Sequence, residues 1–152
     1  MKKIPPAAFG PEPTHYVNVD LDVYAEVPLD GLVQALGDGV LVLHVGGGRS
    51  KYEAHVELAS SHLDMSADDT ILGLISVIRG LPRVHRQTWD TAKRREFNIG
   101  IEAGIEPHGF ELRLQQRTLQ AISDMRSGVV ITVYAPDLQD AKFPARRRVK
   151  KR

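Results

Sequence analysis

Residues 15–26 read HYVNVDLDVYAE, and from Val17 onward apolar and polar side chains alternate without a break. Val17, Val19, Leu21, Val23 and Ala25 fall on one side; Asn18, Asp20, Asp22, Tyr24 and Glu26 fall on the other. Successive side chains of a strand point to opposite faces, so this period selects a half-buried β-strand over an amphipathic helix. The pattern returns in Phe97, Ile99, Ile101 and Ala103 against Glu96, Asn98, Gly100 and Glu102. It returns again in Phe110, Leu112 and Leu114 around Glu111 and Arg113, and in Val129, Ile131, Val133 and Ala135 around Val130, Thr132 and Tyr134. A sheet of such strands has one face for a core and one polar face for water or a partner.

Helical spacing supplies the covering layer. Leu29, Leu32, Val33 and Leu36 share one side of a short helix that Gly37 or Gly39 ends. Ile71, Leu74, Ile75 and Ile78 form a longer stripe, capped by Ser66 or Asp68. Pro82 starts a further segment in which Val84, Trp89 and Ala92 are predicted to pack inward. Leu119, Ile122 and Met125 mark the last helix, with Gly128 as its stop. Between the first two helices VLVLHV, GGGRS and KYEAHVELAS read as a hairpin. Its expected register buries Leu41, Leu43 and Val45 with Tyr52, Ala54, Val56 and Leu58. That register gathers His44, Glu53, His55 and Glu57 on the opposite face. The predicted class is α+β, a mostly antiparallel sheet with helices packed on one face. Two strand–helix–strand stretches, beginning at residues 16 and 110, suggest ferredoxin-like repeats.

One domain over residues 14–136 is expected, preceded by an extended arm at 1–13 with four prolines and followed by a basic, disordered tail at 137–152. The net charge of +1 is unevenly placed. Residues 142–152 hold seven of the 20 Lys and Arg and no acid, leaving 13 basic against 19 acidic residues in 1–141, a net of −6. An acidic body attracts basic partners, and any nucleic-acid contact is left to the tail. The chain has no cysteine, which removes disulfides and thiolate chemistry. No apolar run follows the two N-terminal lysines and none is long enough to cross a membrane, so a soluble cytoplasmic protein with no membrane partner is expected.

Gly46-Gly47-Gly48 with Arg49, Ser50 and Lys51 has the wrong order for a phosphate loop and is followed by a strand; it reads as a hairpin turn. His44, Glu53 and His55 are the metal candidates, because imidazole and carboxylate on neighbouring strands suit zinc. Trp89 among Arg83, Arg86, Lys93, Arg94 and Arg95 has the composition of a stacking patch, although a lone Trp on an amphipathic helix suits a core. No nucleophile elbow, zinc-protease or cofactor motif occurs, and no cofactor is expected.

LPRVHRQTWDTAKRREFNIGIEAG, PHGFELRL and GVVITVYAP together resemble a group of small bacterial proteins of unknown function, in which an "FxIGI" strand precedes a helix and a "VxITVYxP" strand. The resemblance spans most of residues 14–136 and transfers no site residue. It implies an immunity or accessory role in bacterial toxin systems. The functional expectation is therefore a non-catalytic protein-binding domain, an immunity-type inhibitor that occludes a basic partner with its acidic sheet face. Asn18, Asp20, Asp22, Tyr24, Glu53, Glu57, Glu102 and Tyr134 are the expected contact residues. The alternatives are a small metal-dependent hydrolase built on the His/Glu cluster and a self-associating domain, the latter requiring an apolar patch.

Overall fold

The computed structural model describes residues 12–136 with the exception of Leu63. Most of the arm and the whole of the tail lie outside the described residues. The elements in order are β1 (His15–Ala25), α1 (Asp30–Leu36), β2 (Val40–Gly48), β3 (Lys51–Leu58), α2 (Ala67–Arg79), α3 (Arg83–Thr91), β4 (Arg94–Glu102), α4 (Gln116–Asp124) and β5 (Gly128–Tyr134). They form an α+β fold around one five-stranded sheet of order β2-β3-β1-β4-β5, antiparallel except between β4 and β5. β1 and β2 run the same way with β3 inserted between them, whereas β4 and β5 are adjacent. The stretch from residue 110 has no strand before α4, so the two strand–helix–strand stretches are not equivalent repeats.

The alternation of β1 places Val19, Leu21, Val23 and Ala25 in the core beside Ala54, Val56 and Leu58 of β3 and Phe97 and Ile99 of β4. The helices close this face. Ile71, Leu74, Ile75 and Ile78 of α2 are buried as the spacing predicts, as are Leu29, Leu32, Val33 and Leu36 around α1, and Trp89 and Ala92 at the end of α3. Ser66 caps α2 by accepting from the Asp69 backbone N–H at 3.1 Å. In the first turn of α2 the buried carboxylate of Asp68 accepts from the Gln115 backbone N–H at 2.9 Å and from the Thr118 hydroxyl. That bond ties the start of α4 to the start of α2.

Several local expectations are corrected. PHGFELRL is not a strand: β5 runs parallel to β4, so the chain must return to the starting end of the sheet before β5 begins. Residues 103–115 and α4 make that return, and Leu112 and Leu114 pack against the core from this irregular segment. Two strand irregularities reverse local facing. One at Val17 turns Tyr16 toward the core and leaves Val17 exposed; the other skips Leu43, so Leu41 and Leu43 are exposed while Val40 is buried. Val84 is exposed because it lies five residues from Trp89, a spacing that does not share a helix face. On α4, Thr118 is held inward by Asp68, so Thr118, Ala121, Ile122 and Met125 form the buried stripe and Leu119 faces out. The hairpin turn itself is only Arg49-Ser50, both left-handed at φ 51° and 62°, and the three glycines belong to β2.

Gly128 is not the stop of α4; Arg126 is. It adopts φ 53°, with Ser127 N–H donating to Ile122 O at 3.1 Å and Arg126 N–H to Ser123 O at 2.9 Å, the paired bonds of a Schellman ending. A residue with a Cβ is strained there, so Arg126→Gly is expected to raise unfolding free energy by about 0.5–1 kcal/mol in urea denaturation. An unchanged or lowered midpoint would contradict that account of the helix end.

Candidate functional site

The face of the sheet opposite the helices carries six carboxylates on its three central strands: Asp20 and Asp22 from β1, Glu53 and Glu57 from β3, and Glu96 and Glu102 from β4. Cross-strand neighbours lie about 5 Å apart, so like charges directly opposite one another need compensation. Asp20 faces Glu57 and Asp22 faces His55 across β1–β3; Asp20 faces Asn98 and Asp22 faces Glu96 across β1–β4.

Two neighbouring hydrogen-bond groups supply that compensation. Asp22 is 6% exposed and sits at the centre of the first. Its Oδ1 accepts from His55 Nδ1 at 2.6 Å and its Oδ2 from Asn98 Nδ2 at 3.3 Å, while Thr132 Oγ1 donates to Asn98 Oδ1 at 2.7 Å. A carboxylate acceptor places the ring proton of His55 on Nδ1 and leaves Nε2 facing outward, 3.9 Å from Glu53 Oε2. In the second group Asn18 Nδ2 donates to Asp20 Oδ1 at 2.9 Å and to Glu57 Oε1 at 2.6 Å. Burial, and then the adjoining Glu57 carboxylate, push the Asp20 carboxyl up to about 7.

Aromatic side chains lie over this network. The Tyr24 ring stands edge-on to His55, 5.9 Å between centroids, and the Arg94 guanidinium covers its other side at 4.0 Å. Arg94 Nε also approaches Glu96 at 3.3 Å. Toward β5, the half-exposed Tyr134 ring passes over Gly100, where any Cβ would stand 2.6 Å from Asn18 Oδ1. Gly100 is therefore what lets Asn18 lie flat between β1 and β4. A groove of about 520 Å³ opens at the hairpin end of the sheet between Tyr24, Arg49, Lys51, Tyr52 and Lys93.

All eight expected contact residues, Asn18, Asp20, Asp22, Tyr24, Glu53, Glu57, Glu102 and Tyr134, thus share one face. Asp22 is buried within the network, and Glu102 pairs with His15 at 3.9 Å at the far end. His44, Glu53 and His55 are also brought side by side, because the skipped Leu43 puts His44 opposite His55. Their rings are 5.8 Å apart and His44 Nε2 lies 3.5 Å from Glu53 Oε1. Among the described residues no group of three or more His, Asp or Glu is disposed to hold a metal ion. The Trp89 stacking patch is not formed, since Trp89 is buried beneath Arg95, 5.7 Å from its ring. Asn98, Thr132 and Arg94 belong to the face although only their strand alternation, and no motif, points to them. No helix of the described residues is long and apolar enough to cross a membrane. No protein-family model, curated protein or solved structure matches the chain.

Two outcomes test this geometry. Asp20 keeps its proton in the folded protein up to about pH 7 but loses it near 3.8 when unfolded. Folding therefore binds a proton in that window, and Asp20 costs stability increasingly as pH rises through it. Asp20→Asn should match the wild type near pH 4 and be the more stable protein near pH 8 by urea midpoint; a difference independent of pH would contradict the assignment. Asp22→Ala leaves Asn98 and His55 without their shared acceptor. It should cost roughly 1.5–3 kcal/mol in the same measurement, whereas a loss below about 0.5 kcal/mol would remove Asp22 from the centre of the network.

Proposed function

We propose that the open sheet face is a docking surface for a basic protein, and that the chain acts as a non-catalytic, immunity-type inhibitor by covering a partner's functional surface. The observation that supports this reading most is a set of six carboxylates on a face that no helix of the described residues covers, three of them, Asp20, Asp22 and Glu57, already held by hydrogen bonds. A fixed acidic surface loses little side-chain entropy on docking and speeds encounter with a basic partner through its field. Tyr24 and Tyr134 supply amphipathic contact area at the two sides of the patch, in keeping with the enrichment of tyrosine among binding hot spots. Occlusion asks no chemistry of this face, only shape and charge.

The test is affinity capture from the native cell with the tagged full chain and with Glu53→Lys/Glu57→Lys, at low and moderate salt. The expected result is one basic protein held at near-equal stoichiometry by the wild type, weakened by salt and lost at least tenfold in the double variant. Equal retention by both would show that binding lies elsewhere.

A further inference from the structure

The two edges of the sheet are built differently. At β2 the pairing is interrupted at Leu43 and the strand ends in three glycines, features that disfavour addition of another strand. At β5 the pairing with β4 runs unbroken from Glu96–Gly128 to Glu102–Tyr134, so the outer edge is a regular seven-residue strand. Residues 127–136, SGVVITVYAP, contain no charged side chain. Nor does the helical layer reach this strand. Val129, Ile131 and Val133 lie on the core side of the sheet beside fully buried Phe97 and Ile99, yet are 39%, 59% and 61% exposed. Phe110 is also exposed, and it lines with Ile101, Leu112 and Ile131 a groove of about 440 Å³ along the same edge, whose two charged residues, Glu111 and Arg113, are paired with each other at 2.6 Å. A long, uncharged, apolar edge strand is an unfinished surface.

We infer that β5 is the interface of a homodimer in which two copies pair antiparallel about a two-fold axis at Ile131, joining the sheets into one of ten strands. The occupant is argued from the strand's own symmetry. An isologous interface must be complementary to itself, and antiparallel pairing centred on Ile131 sets residues n and 262 − n opposite one another. Val129 then meets Val133 of the other copy and Ile131 meets Ile131, giving a six-residue apolar stripe on the core side. On the open side Val130 meets Thr132, and Tyr134 falls opposite Gly128, which has no side chain to crowd the pairing while the Tyr134 ring stays over Gly100 of its own chain. No charge opposes its own image. Such pairing removes from water three apolar side chains per copy that are 39%, 59% and 61% exposed, and it gives partners to the outer backbone groups of a seven-residue strand. The dimer stands whether or not the open face docks a basic partner; if it does, both acidic faces lie on the same side of the ten-stranded sheet.

The absence of native cysteine makes the test direct, since any single introduced cysteine is a unique reporter. Sedimentation of the full chain is expected to give about twice the 16.8 kDa of one chain, and Ile131→Lys, a change at an exposed position, a folded monomer by circular dichroism. Ile131→Cys should form a covalent dimer readily under mild oxidation, because residues facing each other at the axis have Cα atoms about 4.5–5.5 Å apart. Val133→Cys should cross-link at least tenfold more slowly, its two copies being roughly 13 Å apart in that register. A monomer at all concentrations, a dimer that survives Ile131→Lys, or equal cross-linking from Val133→Cys or from Leu41→Cys on the opposite edge would each overturn the inference.

Discussion

The rest of the structure depends on the position of β1, which is paired on both sides, by β3 and by β4, and among the described residues is covered on one face alone. Being central, β1 can neither slip nor rotate: its apolar set must fill the core and its polar set must share the open face with the polar sets of two neighbours. Asp20 and Asp22 are thereby held beside Glu57 and Glu96 at cross-strand distance. Carboxylates so placed cannot all be bare. One is met by an imidazole and an amide, another by an amide and a retained proton, and the polar network of the face follows from that crowding.

Periodicity made most of this arrangement legible. All five strands, all four helices and the shared face of the eight expected contact residues follow from apolar patterning and helical spacing. What could not be read were the places where tertiary geometry overrides a local pattern. The irregularities at Val17 and Leu43 are register events between strands, and nothing in VLVLHV alone says that one residue is skipped. PHGFELRL alternates like a strand but is used as a crossover because β5 must run parallel to β4. Leu119 yields its inward place to Thr118 because Asp68, about fifty residues away in the chain, reaches it. In the candidate site, alternation places Asn98 and Thr132 on the polar face but no motif marks them, because Asn98 works through Asp22 and Thr132 through Asn98.

The molecule shows solvent two surfaces of opposite character. The open face over β3, β1 and β4 is acidic, hydrogen-bonded and flat, suited to a charged partner that it meets without rearranging. The β5 edge is uncharged and apolar on its core side, suited to burial against another strand. Electrostatic attraction on the first would weaken with salt, while apolar pairing on the second would not, so ionic strength would separate the two proposed associations.

The most direct measurement of the central claim is photo-cross-linking in the native cell, with a reactive residue placed at Glu57 on the open face or at the exposed Ser76 on α2. The account predicts that the probe at Glu57 captures one basic protein and the probe at Ser76 does not. Capture of a single protein from Ser76 with none from Glu57 would contradict it and move the binding surface to the helical side.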